Sequence, residues 1–273
     1  MQRPLGISTS MLDKDFDPAI LAEVAQRGIT HLELVCTEGI PVYESDEAVE
    51  AVLNAGRQNH LTFWSVHAPF GGAVDLSKPE ELARRDAIGR VLRAVEVGRM
   101  VGAGLVVIHA GIDSAQAQEH EQRRRQAIRS INELVKRASQ AGLAIAVEYL
   151  PNNKERLCNS AESCRRLLDY VDGEPGICFD TNHANLGESL SQAMTALGDR
   201  ITTLHISDND GVEERHTMPG TGTIDWAEFL RLLDEIDYQG PLMYEASNAG
   251  DSVPERLDLT VRTAREFLAW QPA

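Results

Sequence analysis

The sequence predicts a (β/α)8 barrel forming a single domain over residues 1–273, and three observations carry the prediction. Short apolar runs alternate with longer stretches of helical period, no linker or low-complexity segment interrupts them, and polar residues recur at the carboxyl ends of the apolar runs. Strands that alternate with helices call for a parallel sheet covered by helices, and eight such units suffice to close a ring. The competing architecture is an open, doubly wound sheet. It would want a Gly-rich phosphate turn after the first strand, and ISTSMLDKDFD has none.

The eight candidate strands are GISTS, HLELVC, LTFWSVHA, GLVVIHAG, LAIAVEYL, GICFD, ITTLHIS and PLMYEA. Between them Ile88, Val91, Leu92 and Val95 recur at helical spacing, as do Ile128, Ile131, Leu134 and Val135, and Trp226, Phe229, Leu230 and Leu233. Each set makes one apolar stripe on a helix. Helix starts are expected where a short polar side chain precedes Glu by three residues, at Ser77 with Glu80, Asn159 with Glu162 and Asp225 with Glu228. Helix ends are expected at Gly28, Gly102 and Gly142, where a left-handed cap is least strained.

With 273 residues, 42% hydrophobic and 25% charged, the chain can bury a large core. MQRPLGISTS enters a strand-like run without the apolar stretch of a secretory signal, and no run is long enough to span a bilayer, so a cytoplasmic location is expected. The net charge of −16, from 42 acidic and 26 basic residues, argues against a sequence-independent grip on nucleic acid. The run Arg123 to Arg125 is read as a solvated helix face. Cys36, Cys158, Cys164 and Cys178 show no metal-binding spacing and are read as reduced, structural thiols.

Chemistry is expected where polar residues interrupt the strands, because a charged group at a strand end is costly unless partnered. His67, His109, Glu148, Asp180 and Glu245 end their apolar runs, and His205 falls within TTLHISD. His183 lies three residues past Asp180, and Glu214 and His216 follow the seventh strand. A barrel opens all its strand ends on one face, so these residues converge there. Imidazoles mixed with carboxylates suit a divalent ion such as zinc, manganese or cobalt, or magnesium where carboxylates dominate. Glu33, inside HLELVC, either lines the same pocket or pairs with a cation of the barrel, and both readings stand. Trp64 and Phe70 flank the Gly-bearing loop SVHAPFGGAVDLS, as pocket wall or as plain barrel packing.

At SVHAPFGG, VIHAG, AVEYLP, FDTNHA, HISDNDG, ERHTMPGTGTIDW and YEA the sequence resembles the xylose isomerase-like barrel superfamily. That superfamily holds sugar and sugar-phosphate isomerases and epimerases as well as apurinic endonucleases, and the resemblance runs from GIST to Glu245. For the isomerase branch it implies one divalent ion held by Glu148, Asp180, His205 and Glu245. Glu148 and Glu245 then take and return a proton on a sugar, sugar phosphate, polyol or keto acid, and His183 and Arg215 steady its oxygens. General chemistry agrees, since a cation polarises a carbonyl while carboxylates on opposite sides move protons.

For the endonuclease branch the resemblance implies three zinc sites. These are His67, His109 and Glu148; then Glu148, Asp180, His205 and Glu245; and His183, Glu214 and His216. Glu214 departs from the Asp of that branch, and Tyr149 stands where Asn is usual. No basic, aromatic-bearing loop suited to a polyanion is evident. The expectation is therefore a metal-dependent sugar isomerase or epimerase acting on a small carbohydrate-like substrate. Its alternatives are a zinc-dependent phosphodiesterase and a barrel that binds metal and sugar without turnover.

Overall fold

The computed structural model describes residues 3–112, 117–152 and 155–271. All eight expected strands form: β1 (Leu5–Ser8), β2 (His31–Val35), β3 (Thr62–His67), β4 (Leu105–Ile108), β5 (Ala144–Glu148), β6 (Gly176–Asp180), β7 (Ile201–His205) and β8 (Leu242–Tyr244). Each is parallel to its neighbours in the order β7-β6-β5-β4-β3-β2-β1-β8. A bridge between Ile206 and Tyr244 closes the ring, with Ile206 N donating to Met243 O at 2.8 Å and Glu245 N to Ile206 O at 3.0 Å. The fold is thus a (β/α)8 barrel.

Strand periodicity decides which side chains face inward. Trp64, Leu105, Val107, Ala146 and Cys178 form a small apolar cluster of their own, separate from the main core. Two residues beyond Val107, Ala146 and Cys178 stand His109, Glu148 and Asp180, so the same inward parity delivers these polar groups to the open end. The alternate positions, among them Val106, Ile108, Ile145, Val147, Ile177 and Phe179, are buried in the larger core shared with the helices. Gly6 on β1 leaves room for its neighbour: a Cβ there would stand 2.9 Å from Met243 Cε.

The helical stripes lie where the sequence puts them, with Ile88, Val91, Ile131, Leu134, Trp226, Phe229 and Leu233 all buried. Asp225 caps the helix Trp226–Glu235 by accepting from Glu228 N, and Gly102 closes Glu81–Val101 in the left-handed conformation. Two caps differ from expectation. Ser77 does not cap a helix; its hydroxyl donates to Asp75 and to Ile112 O, and the helix starts later, with Glu80 as its N-cap. Ser160 rather than Asn159 caps Ala161–Leu168, in a reciprocal box with Ser163.

Two further expectations are corrected. Arg123 is not on a solvated face: it is largely buried and bonds Asp75 Oδ2 at 3.1 Å, tying its helix to the loop after β3. Arg124 is likewise held by Glu121, and of the three only Arg125 is exposed, its Nε also pairing with Glu121 Oε1 at 2.9 Å. Cys158 and Cys164 are a disulfide, not reduced thiols, with Cα atoms 4.2 Å apart. Leu150 N donates to Cys158 O at 2.8 Å, which folds the post-β5 loop back and sets Cys158 against the first turn of the next helix. Cys36 and Cys178 are free and buried, as expected.

The long loop after β7 is organised by one buried carboxylate. Asp208 accepts from the backbone N–H of Asn209, Gly220, Gly222 and Ile224 and from the Trp226 indole, at 2.9 to 3.3 Å. Its own backbone pairs with Thr217, next to His216. No described helix is long and apolar enough to cross a membrane.

Candidate metal and substrate site

The nine polar residues singled out at or beyond the strand ends gather at the open mouth of the barrel in three groups. These are His67, His109 and Glu148; His183, Glu214 and His216; and Glu148, Asp180, His205 and Glu245. Within each group the candidate ligand atoms lie within 4.8 Å of one another. Seven of the nine come directly from a strand end or the turn that follows it. Glu214 and His216 arrive on the loop pinned by Asp208, and Asp180 also caps the short helix Thr181–Asn185, its Oδ1 accepting from His183 N at 2.9 Å.

The imidazoles are oriented from behind. His205 Nε2 meets Glu33 Oε1 at 2.9 Å, and Glu33 also accepts from Ser65 Oγ at 2.7 Å. His183 Nδ1 is 2.9 Å from Tyr149 O, His67 Nδ1 is 2.9 Å from Ala68 O, and His216 Nδ1 is 3.3 Å from Glu245 O. An N–H donated to such an acceptor leaves the opposite nitrogen's lone pair aimed at the centre, the arrangement typical of metal-ligating histidine. His205 Nδ1 points at Glu245 Oε2 (3.1 Å), Glu148 Oε1 (3.5 Å) and Asp180 Oδ2 (3.8 Å). His205 Nδ1 and Asp180 Oδ2 are both buried without a hydrogen-bond partner. Two orphaned atoms converging beside two further carboxylates fit a divalent cation well.

The electrostatics point the same way. Burial would raise the Glu148 carboxyl, but His109, His183 and His205 around it hold it well below the usual range. Glu245 also resists burial, brought down to about 2 by His205. Burial raises Asp180, against the pull of His183 and His216. Burial would lower His67, yet Glu148 pushes it up to about 9. Buried carboxylates crowded at one point demand positive charge there, as protons on imidazole or as a cation.

A cavity of about 320 Å³ opens above these groups, a size that suits a small ligand. Phe70 lines it and stacks on His109 with ring centroids 4.2 Å apart, so Phe70 is pocket wall. Trp64 is barrel packing, its indole donating to Thr203 Oγ1 at 3.1 Å. Arg215 does not line the cavity; it bonds Asp210 and Glu213 on the outer part of its loop. Glu33 is neither wall nor partner of a Lys or Arg, but the support of His205. Sequence reading missed that role and also missed Arg156, Ser10 and Ser247, which line the cavity. The paired signal for Glu33 is an acid at inward parity opposite Ser65.

Comparison with known proteins agrees with the barrel fold. Residues 21–269 match the family model described as xylose isomerase-like TIM barrel. Among curated proteins, D-psicose 3-epimerase of Enterocloster bolteae is 25% identical over 272 residues, covering 90% of this chain and 87% of that one. An uncharacterised protein of Methanocaldococcus jannaschii is 26% identical over 256 residues, covering 92% and 86%. A solved D-tagatose 3-epimerase-like protein superposes with a TM-score of 0.86 at 23% identity, covering 98% of this chain and 97% of that one. At that identity the likeness speaks for the fold alone.

Proposed function

We propose, from the premise that this chain belongs to the xylose isomerase-like TIM barrel family, that it is a divalent-metal-dependent isomerase or epimerase of a sugar or sugar-like polyol. The observation that carries this reading is the convergence of Glu148, Asp180, His205 and Glu245 on one point beneath a cavity of ligand size. Relatives named as D-psicose 3-epimerase and L-ribulose 3-epimerase support the reaction class. The four residues would hold the ion, which when bound supplies Lewis-acid polarisation of a substrate carbonyl.

The remaining chemistry belongs to the side chains. Glu148, on β5, and Glu245, just past β8, both approach His205 Nδ1, at 3.5 and 3.1 Å. One, as carboxylate, takes the proton from the carbon beside the carbonyl. The other relays a proton taken up from solvent to the same carbon from the opposite face, giving epimerisation, or to its neighbour, giving isomerisation. His183, fixed by Tyr149 O, steadies a substrate hydroxyl, and Phe70 covers the mouth and limits water.

The test is solvent deuterium. A ketose incubated with the metal-loaded protein in D2O is expected to acquire carbon-bound deuterium, read by NMR. A broad panel of ketoses and polyols that acquires none, with manganese, magnesium, cobalt and zinc each tried, sinks the reading. A second reading, a phosphodiesterase with three zinc ions, draws on the two extra His-containing groups. Metal analysis separates them, near one ion per chain for the first and near three for the second.

Glu33→Gln is expected to weaken metal binding by about 10- to 100-fold, the usual effect of removing a carboxylate that orients a ligand imidazole. Calorimetric titration measures it, and an unchanged affinity refutes the support role.

A further inference from the structure

We propose that Arg156 receives an anionic group of the substrate, so that the cavity is built for an acidic sugar, phosphorylated or carboxylated, rather than for a neutral one. The inference rests on the reading of this cavity as the sugar site. Among the described residues Arg156 is the only Lys or Arg that lines it, among side chains that include Glu148, Glu214 and Glu245. Its guanidinium has no ion pair with a carboxylate among the described residues. That sets it apart from Arg123, Arg165, Arg200 and Arg215, each engaged by a carboxylate of this chain.

The backbone under Arg156 is fixed from three sides. Ile112 and Arg156 form an antiparallel bridge, and Leu157 N donates to Gly111 O at 3.1 Å. Cys158 next along is joined to Cys164 and accepts from Leu150 N. Leu157 and Cys158 are buried while Arg156 remains half-exposed, so the chain is anchored and the side chain is left to the cavity. A guanidinium presented in this way forms bidentate, charge-assisted bonds to phosphate or carboxylate, and anchoring it beforehand reduces the ordering entropy that binding must overcome. The carboxylates of the floor repel an anion, so its place is at the loop end of the cavity, with the uncharged carbons of the sugar reaching down toward Glu148 and Glu245.

The experiment is calorimetric titration of the metal-loaded protein with D-fructose, D-fructose 6-phosphate and D-fructuronate. At least one acidic probe is expected to bind about tenfold or more tightly than fructose, the worth of one charge-assisted contact. Which of the two does so tells phosphate from carboxylate. In Arg156→Ala the ratio of acidic to neutral affinity is expected to fall to about one, and Arg156→Lys is expected to retain part of it. Circular dichroism and metal content establish that each variant is folded and loaded. Equal or weaker binding of both acidic probes by the parent protein overturns the inference, as does a preference that survives in Arg156→Ala. Deuterium exchange on the same samples keeps the two readings apart. A preference lost with Arg156 upholds the anion site even where no exchange occurs, and exchange without any preference ends the anion site while leaving the isomerase.

Discussion

Glu148→Gln is expected to reduce turnover by about a thousandfold or more, because it removes a proton carrier and a ligand together. No other residue of the site is so heavily shared. Its Oε2 lies 3.0 Å from His67 Nε2 and 2.8 Å from His109 Nε2, and its Oε1 lies 3.3 Å from His183 Nδ1 and 3.5 Å from His205 Nδ1. It belongs to two of the three ligand groups. Glutamine keeps the shape but contributes a neutral amide, which neither accepts a proton from carbon nor balances the surrounding imidazoles. Steady-state kinetics and metal analysis after dialysis are the measurements. Activity within tenfold of the parent, with full metal content, contradicts the assigned role.

Asp208→Ala is expected to destabilise the fold by about 3 kcal/mol or more, since it leaves buried N–H groups without their charged acceptor. For a chain of this size that is a fall in melting temperature of roughly 5–10 °C. Four backbone amides and one indole lose their common partner. The loop they shape carries Glu214 and His216, so the variant is also expected to lose order at that side of the mouth. Urea unfolding followed by tryptophan fluorescence reports it directly, because Trp226 is one of the donors. A loss under about 1 kcal/mol would mean that water replaces Asp208 at little cost.

Much of this architecture could be read in the residues because two strong local signals coincide. Short apolar runs announced the eight strands, three of them preceded by the Gly caps Gly28, Gly102 and Gly142, and acids or imidazoles at the ends of six announced the mouth. The structure links the two by period-two alternation, with Ala146 and Cys178 inside the barrel and Glu148 and Asp180 two residues on at its rim. What stayed hidden depends on which chains meet in space. Glu33 supports His205 across 172 positions of sequence, a distance no local pattern spans. Arg123 looked solvated because its run is basic, yet Asp75, 48 residues away, draws it inward. Ser77 and Asn159 satisfy the local rule for a helix start, but Ser77 is taken by Asp75 and Ile112, and Ser160 outcompetes Asn159. The disulfide was missed for a similar reason: Cys158 and Cys164 meet only because the loop after β5 doubles back.

The seam between β7 and β8 is the thinnest join in the ring, resting on the one bridge between Ile206 and Tyr244. His205 directly precedes the first of those residues and Glu245 directly follows the second. An ion gripped by both side chains would act as a clasp over the place where the barrel is most easily prised apart. Loading would then lend resistance to unfolding in proportion to its tightness, about 2.7 kcal/mol at a hundredfold excess over the dissociation constant. Closing the cylinder and arming it for catalysis would become a single event.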